Sequence, residues 1–138
     1  MKIYLIGKII EITNFNEYLD AMIIESNNSG YEIFIPKNAN FKSGENTKVF
    51  VHYTNNYGIR IYGFKTYEEY NEFINLINTE DIGPRQALFL IKYGVDKAIN
   101  EINNNPYKDI DKKLRFLTTR SFRKLKEYRK AKLLYEKI

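Results

Sequence analysis

The spacing of apolar residues changes its period once along this chain, at Thr66, and that change limits the possible folds more than any other feature. Before Thr66, apolar and polar residues alternate in short runs, the pattern of strands with one buried face. After Thr66, apolar residues recur about every 3.6 positions, the pattern of amphipathic helices. The chain has 138 residues, enough for one ordinary domain or two small ones. We therefore predict a β domain over residues 1–64 and an all-helical domain over residues 65–138.

Five short alternating runs precede the change, and turn residues separate them. The clearest run is Tyr31–Ile35, which follows a turn at Asn27–Gly30 and is closed by Pro36. Gly7 lies inside the first run and predicts a bend or a bulge there. Five strands in this length predict a small five-stranded barrel of the OB type, although an SH3-like barrel fits the same pattern. The predicted strands are residues 2–12, 18–26, 31–35, 47–53 and 59–64.

Capping residues set the expected bounds of the helices. Thr66 and Glu69 have the spacing of a capping box, in which each side chain satisfies an N–H group of the first turn. Asp96 is expected to cap a helix over residues 97–102, and Asp109 or Asp111 to begin a short helix holding Leu114 and Leu117. A turn at residues 118–121 precedes the last helix. This order predicts two helical hairpins related by a pseudo-repeat.

The stretch Asn78–Ala87 joins the first two helices through a tight turn. Pro84 fits the first position of a helix, where a missing N–H is tolerated. Gly83 lets a ligand approach the backbone, and Arg85 stands beside the N–H groups that begin the second helix. A phosphate fits such a place through hydrogen bonds and the helix dipole. The pattern indicates a helix-hairpin-helix element, which binds nucleic-acid backbone without distinguishing bases, or an ordinary packing corner.

The positive charge of the chain is concentrated in its last quarter. Residues 1–111 carry 11 Lys and Arg against 15 Asp and Glu, whereas residues 112–138 carry 11 against 2. The first part therefore has a net charge of −4 and the second of +9. Such an asymmetry is typical of a nucleic-acid-binding segment. A solvated helix face is the alternative interpretation.

The composition excludes several classes of site. Cysteine is absent, which rules out disulfides and thiolate chemistry, and no apolar run is long enough to span a bilayer. His52 is the single histidine and lies within a strand pattern, where a structural role is expected. Neither a P-loop nor a metal-ligand spacing of carboxylates is present. We expect a cytoplasmic protein without catalytic site, cofactor, metal or membrane partner.

Four strings in chain order resemble the RuvA family, the Holliday junction-binding subunits of the RuvAB branch-migration machine. The similarity covers roughly residues 5–125. The first hairpin of this chain has Arg85 where the family usually has Lys. The matching strings are Ile6–Lys8, Gly30–Pro36, Tyr62–Phe64 and Ile82–Leu88.

The resemblance implies an OB-fold barrel followed by tandem helix-hairpin-helix elements. It also implies a non-catalytic subunit that forms a homotetramer and holds four-way junction DNA open for branch migration in recombination and repair. ATPase activity would belong to the RuvB motor. The implied DNA contacts are Ile82, Gly83, Arg85 and Gln86 in the first hairpin, and Arg120, Ser121, Arg123 and Lys124 in the second.

The chain departs from the family in the turn before the last barrel strand and in the first hairpin. The family has two adjacent acidic residues in that turn, the pin placed at the junction crossover, whereas Asn55 and Asn56 stand here. We expect junction binding to survive and pin-assisted strand separation to weaken. In the first hairpin, Asp81 replaces a glycine and Glu80 precedes it. Both carboxylates add repulsion near a phosphate, so we expect a weaker grip there.

The second hairpin and the C-terminus also depart from the family. The second hairpin has no glycine, so side chains are expected to make its contacts, with Ser121 capping the last helix. The family's C-terminal domain, which docks on RuvB, has no counterpart up to Ile138. We expect that domain to lie beyond this chain or to be missing from a shortened member. Of the properties that the resemblance implies, coupling to RuvB therefore has the least support in this sequence.

Two functions of other classes fit the same sequence. A general single-stranded nucleic-acid binder would stack bases on aromatic residues of the barrel, although we expect these side chains to lie in the core or an interface. An assembly scaffold that has lost DNA binding would fit the changed hairpins and the missing acidic pair. A junction nuclease would need clustered carboxylates, which the sequence lacks. The barrel aromatics in question are Tyr31, Phe34, Tyr53 and Tyr62.

Overall fold

In the computed structural model, five strands close into a barrel in the order β1-β2-β3-β5-β4. Neighbouring strands are antiparallel except β3 and β5, which pair in parallel through Phe34 and Tyr62. This closed five-stranded arrangement is of the OB type and confirms the predicted barrel. The SH3-like alternative is not observed. The strands are β1 (Tyr4–Asn14), β2 (Leu19–Ser26), β3 (Ser29–Pro36), β4 (Asn46–Thr54) and β5 (Arg60–Phe64).

The structure describes residues 3–55, 58–79, 82–115, 117 and 119–136. Within these ranges the side chains of Tyr107, Thr119, Ser121, Tyr128 and residues 131–136 are not described. The chain divides into two compact units, Met1–Ile74 and Asn75–Ile138.

The barrel core consists of the inward-facing residues of the alternating strands. Aliphatic side chains from β1, β2, β3 and β4 fill it, and burial alternates in the second half of β2 and at the centre of β4. Gly63 of β5 faces this core. A Cβ atom on Gly63 would lie 2.5 Å from Ile33 Cγ2 and 2.7 Å from Val49 Cγ1, so only glycine fits. Other fully buried members of the core are Ile9, Met22, Ile24 and Val51.

Gly7 marks a close approach of two strands, and the predicted bulge lies elsewhere in β1. A Cβ atom on Gly7 would lie 2.2 Å from the carbonyl oxygen of Glu25 in β2. The irregularity in β1 lies further along, between Ile9 and Glu11, where the register with β2 shifts. Ile10 is therefore the bulged residue. Glycine in a strand permits either a bulge or a close approach, and here it permits the approach.

The first helix, α1 (Tyr67–Ile77), begins where the sequence predicts. The Glu69 N–H donates to Thr66 Oγ1 at 3.2 Å, so Thr66 is the N-cap. The Thr66 hydroxyl in turn donates to the Glu69 carboxylate at 3.2 Å, and this contact replaces the expected bond from the Thr66 backbone N–H. Phe73 packs on the barrel, with ring centroids 4.9 Å from Phe64 and 5.5 Å from Tyr62. The boundary between the two compact units therefore lies inside α1, after Ile74, and not at Thr66, where the spacing of apolar residues changes.

The remaining helices are α2 (Pro84–Tyr93), α3 (Val95–Asn104) and α4 (Thr119–Glu136), with 3-10 turns at Tyr107–Asp109 and Lys112–Leu114. Asp111 caps the second 3-10 turn by accepting a hydrogen bond from the Lys113 N–H at 3.0 Å. None of the described helices is long and apolar enough to cross a membrane. The core of the second compact unit, Asn75–Ile138, contains Leu76, Ile82, Ala87, Leu90, Ala98, Leu114 and Leu125.

Asp96 does not cap a helix, in contrast to the prediction. Gly94, with φ of 102°, is the residue before α3, and the helix begins at Val95. Asp96 lies inside the first turn and forms an ion pair with Arg129 of α4, at 2.6 Å between Oδ1 and Nε. The long-range ion pair therefore replaces the local cap.

We predict that His52 makes the barrel less stable at mildly acidic pH. The ring is half-buried in β4, 6.0 Å between centroids from Phe73, and burial lowers the pKa of His52 from its ordinary 6.5. Between the lowered folded pKa and 6.5, the unfolded chain binds a proton that the folded chain does not, so stability falls as pH drops.

Urea unfolding at pH 7.5 and at about pH 5.5 tests this expectation in the wild type and in His52→Gln. Because His52 is the single histidine, the wild type should lose more stability than the variant over this range. An equal loss in both proteins would contradict the prediction.

Candidate nucleic-acid interface

The first hairpin connects α1 to α2 through a turn that the helix ends hold in place. Thr79 donates from its N–H to the Leu76 carbonyl at 3.0 Å and from its hydroxyl to the Asn75 carbonyl at 3.0 Å. The Ile82 N–H then donates to the Thr79 carbonyl at 3.1 Å. The Ile82 side chain is buried and its N–H is used in this hydrogen bond, so neither group is open to the predicted DNA contact. Glu80 and Asp81 lie outside the described residues, and their expected repulsion stays a prediction.

The start of α2 presents hydrogen-bond donors and a cation. Pro84 is the first helical residue, as predicted. The next two N–H groups, of Arg85 and Gln86, belong to the first turn, which has no acceptor within its own helix. The Arg85 side chain is exposed beside them. Positive dipole, N–H groups and guanidinium are the components of a phosphate site.

Gln86 has a role that the sequence reading missed. Its side-chain Oε1 accepts a hydrogen bond from the Gly83 N–H at 3.0 Å. In a capping box, the side chain three positions after the N-cap accepts a hydrogen bond from the N-cap N–H. The three-residue spacing of Gly83 and Gln86 could therefore have indicated this contact from the sequence. Because this oxygen is occupied, we assign Gln86 to positioning the turn, with its backbone N–H as the group for a ligand.

Gly83 leaves open space at the start of α2. Its backbone angles, φ −90° and ψ 174°, are extended and open to any residue. A Cβ atom on Gly83 would meet nothing within 4 Å among the atoms described. Neither backbone strain nor packing in the described chain therefore requires glycine. The space suits close approach of a ligand to the backbone.

The second hairpin leads into α4 and places an arginine in the same way. Arg120 is the second residue of α4, as Arg85 is the second residue of α2. Neither helix has an acidic residue in its first turn. A cation at a helix N-terminus opposes the dipole, so its presence at both starts favours an anionic ligand.

Ser121 does not cap α4, in contrast to the prediction. The helix begins at Thr119, so Ser121 is its third residue and its side chain is not described. Arg123 is exposed and Lys124 is half-buried. The second candidate contact therefore relies on basic side chains, with Arg120 in the first turn of α4 and Arg123 and Lys124 after it.

Glu101 ties together the segments that precede the second hairpin. The Tyr93 hydroxyl at the end of α2 donates a hydrogen bond to the Glu101 carboxylate, which raises the pKa of Tyr93 to about 12. The other carboxylate oxygen accepts from the Asp111 N–H at 3.3 Å, and its backbone carbonyl accepts from Asn105 Nδ2 at 2.9 Å. Nothing in the sequence indicated that the Glu101 carboxylate would join these segments.

The remaining predicted position is the turn between β4 and β5. Asn55 is exposed there, and Asn56 lies outside the described residues. In the described part of the chain, no three His, Cys, Asp or Glu side chains gather as metal ligands would.

Comparison with known proteins identifies the family. The family described as RuvA N terminal domain matches residues 1–63. A Holliday junction branch migration complex subunit RuvA of Mesomycoplasma hyopneumoniae is 32% identical over 113 residues, covering 81% of this chain and 49% of the relative. The subunit of the same name from Mycoplasmopsis synoviae is 32% identical over 113 residues, covering 81% and 54%.

A third relative supplies a similar match. The subunit RuvA of Gloeothece citriformis is 33% identical over 115 residues, which cover 79% of this chain and 55% of the relative. The chain thus spans about half the length of the relatives it matches. With an OB-type barrel followed by helices, and with these similarities along most of its length, the chain is a divergent member of the RuvA family.

Proposed function

We propose that this chain is a non-catalytic subunit that binds four-way junction DNA and holds it open for branch migration. The observation that carries the proposal is the start of α2, where the exposed Arg85 and two first-turn N–H groups flank the open space at Gly83. The relatives are named as subunits of a Holliday junction branch migration complex. ATP hydrolysis is assigned to a separate motor subunit, RuvB in this family.

The proposed contacts are to phosphates and do not distinguish sequence. At the first hairpin, a phosphate oxygen accepts from the N–H groups of Arg85 and Gln86, and the Arg85 guanidinium neutralises its charge. At the second hairpin, Arg120, Arg123 and Lys124 supply side-chain charge where no glycine permits close backbone approach. Affinity should therefore fall steeply with salt concentration.

The turn between β4 and β5 limits what this subunit does at the crossover. With Asn55 and Asn56 in place of two carboxylates, the turn has no charge to repel phosphates. We propose that binding and squaring of the junction are retained while strand separation is weaker. A junction labelled with a fluorophore–quencher pair at the crossover reports that separation directly.

Assembly into a homotetramer is part of the proposal. Three isoleucines on the outer side of β1 and β2 are exposed in the single chain: Ile6, Ile10 and Ile23. Ile10 and Ile23 lie on adjacent strands, since Ile9 pairs with Ile24 and Glu11 with Ile23. Apolar side chains gathered on a surface favour an interface with another copy of the chain.

We predict that Arg85→Glu abolishes junction preference while stabilising the fold slightly. The new carboxylate repels phosphate but suits the helix dipole, so we expect at least tenfold weaker junction binding and about 0.3–1 kcal/mol greater stability. Titration of a four-way junction against duplex and single strand of equal length measures the first effect. Thermal or urea unfolding measures the second.

Lys92→Glu is the matched control, because Lys92 lies in the last turn of the same helix. It makes the same charge change at the opposite end, where the carboxylate opposes the dipole and lowers stability. Equal losses of affinity in the two variants would show a general charge effect and contradict the assigned contact. Stronger binding of single strand than of junction by the wild type would favour the single-strand binder.

We predict that Gly83→Ala weakens junction binding with little change in stability. The alanine Cβ meets nothing within 4 Å in the described chain and suits the extended backbone, which favours folding by about 0.4–1 kcal/mol, but alanine is a poorer N-cap than glycine, and the two effects oppose each other. The methyl group instead enters the space assigned to the phosphate. Gly30→Ala, at an exposed glycine with equally open surroundings in the barrel, should leave junction affinity unchanged. Unchanged junction affinity in Gly83→Ala would remove the close approach from the proposal.

We predict that replacing Ile10 and Ile23 by Glu lowers the mass of the assembly. Both side chains are exposed, 49% and 38%, so the barrel should keep its circular dichroism spectrum. Light scattering coupled to size exclusion should give a tetramer for the wild type and a smaller species for the double variant. A monomeric wild type, or an unchanged mass in the variant, would overturn this interface.

A further inference from the structure

An aromatic ring stands exposed in the loop between β1 and β2. Phe15 is 44% exposed, although a phenylalanine of a small barrel is ordinarily buried. Its ring lies against Phe34 of β3, 4.7 Å between centroids and tilted by 59°. Phe34 is itself buried and contacts Tyr62 of β5 at 6.3 Å. Phe15 thus rests on the barrel through Phe34, while 44% of the residue remains exposed to solvent.

A guanidinium group lies next to the same ring. The Arg60 Cζ atom is 5.8 Å from the Phe15 centroid and 5.5 Å from the Phe34 centroid. Arg60 is the first residue of β5 and is exposed, directly after the β4–β5 loop. In the part of the chain that the structure describes, no carboxylate lies within 4.0 Å of it. Arg60 thus contacts the two rings and keeps an exposed charge that a ligand can reach.

The loop that carries Phe15 is ordered by its own hydrogen bonds. Asn16 Oδ1 accepts from the N–H groups of Tyr18 at 2.8 Å and Leu19 at 2.9 Å. The N–H groups of Phe15 and Asn16 both donate to the Leu19 carbonyl, at 3.2 and 3.1 Å. The ring is therefore held in position before any ligand arrives, which lowers the entropy that binding has to overcome.

The place of this ring in the barrel indicates the class of ligand. OB folds bind oligonucleotides on the face between the β1–β2 and β4–β5 loops. Phe15 lies in the first of these loops and Arg60 adjoins the second. Aromatic rings in such a place bind single-stranded nucleic acid by stacking on bases, and arginine adds a cation–π contribution.

We propose that Phe15 and Arg60 form a stacking site for one unpaired nucleobase of bound DNA. The base lies on the exposed face of Phe15, and the Arg60 guanidinium covers its edge. The inference rests on the proposed function in taking the ligand to be junction DNA, whose opened crossover exposes unpaired bases. A site for an unpaired base on the barrel is separate from the phosphate contacts of the helical hairpins.

The charge near Phe15 distinguishes this site from a phosphate site. Glu17 in the same loop balances Arg60, so the two loops carry little net charge. Binding here should come from stacking and be nearly independent of salt. Loss of the ring should therefore lower affinity equally at all salt concentrations, unlike loss of Arg85.

Phe15→Leu tests the contribution of the ring. Because the variant loses the stacking contact, we expect its affinity for DNA to be about 5- to 20-fold lower than that of the wild type. The slope of log affinity against log salt concentration should be unchanged. The ligand is a four-way junction with two unpaired thymines at the crossover, and an oligothymidine strand serves as the second ligand.

Phe15→Trp places a reporter at the site itself. The chain contains no tryptophan, so the new indole would be its single one. Stacking of a base should quench its fluorescence while affinity is retained. The control is Tyr4→Trp, because Tyr4 lies at the opposite end of β1 from Phe15 and resembles it in its surroundings. Tyr4 is 48% exposed, and the Lys48 Nζ atom lies 4.6 Å from the centroid of its ring. Its fluorescence should not change on binding.

The outcomes separate this inference from the proposed function. Junction binding by the wild type, with the losses and quenching described, supports both. Junction binding that Phe15→Leu leaves unchanged, without quenching in Phe15→Trp, overturns the stacking site and leaves the function standing. Failure to bind junctions, with Phe15-dependent binding of oligothymidine, overturns the function and keeps the site. Binding of neither ligand overturns both.

Discussion

Closure of the barrel depends on two places where backbone and core leave no room for a side chain. At Gly7, β1 approaches β2 so closely that a Cβ atom would lie 2.2 Å from a carbonyl oxygen. At Gly63, β5 packs directly on aliphatic side chains of β3 and β4. A sheet of only five strands curves tightly, and glycine permits that curvature. Without closure, β3 and β5 would not pair, and Phe15, Phe34 and Arg60 would not meet.

The features that local rules govern were predictable from the sequence. Alternation with a period of two gave the five strands, and the change at Thr66 gave the helices. Pro84 and Asp111 act locally, as a first helical residue and a cap, and both stand where expected. The local rules were insufficient where a distant partner competes. Asp96 pairs with Arg129 of another helix, and no spacing rule connects those two positions.

The candidate sites show the same division between local and distant causes. The donor-rich start of α2 follows from the order Gly83, Pro84, Arg85, so it was predictable. Ser121 lies inside α4 because that helix begins two residues before it, a boundary that propensity fixes poorly. The pairing of Phe15 with Arg60 depends on closure of the whole barrel, and no interval along the chain reveals it.

The two arginines at the starts of α2 and α4 have a consequence for the protein without its ligand. Each places a positive charge against the positive end of a helix dipole, so the unbound helical unit is less stable than its packing alone permits. A phosphate bound as proposed would be attracted both by the arginine and by the helix dipole, which would offset this repulsion. Occupancy would then stabilise the folded state by mass action, so the stability of such a subunit would rise with the concentration of its proposed ligand.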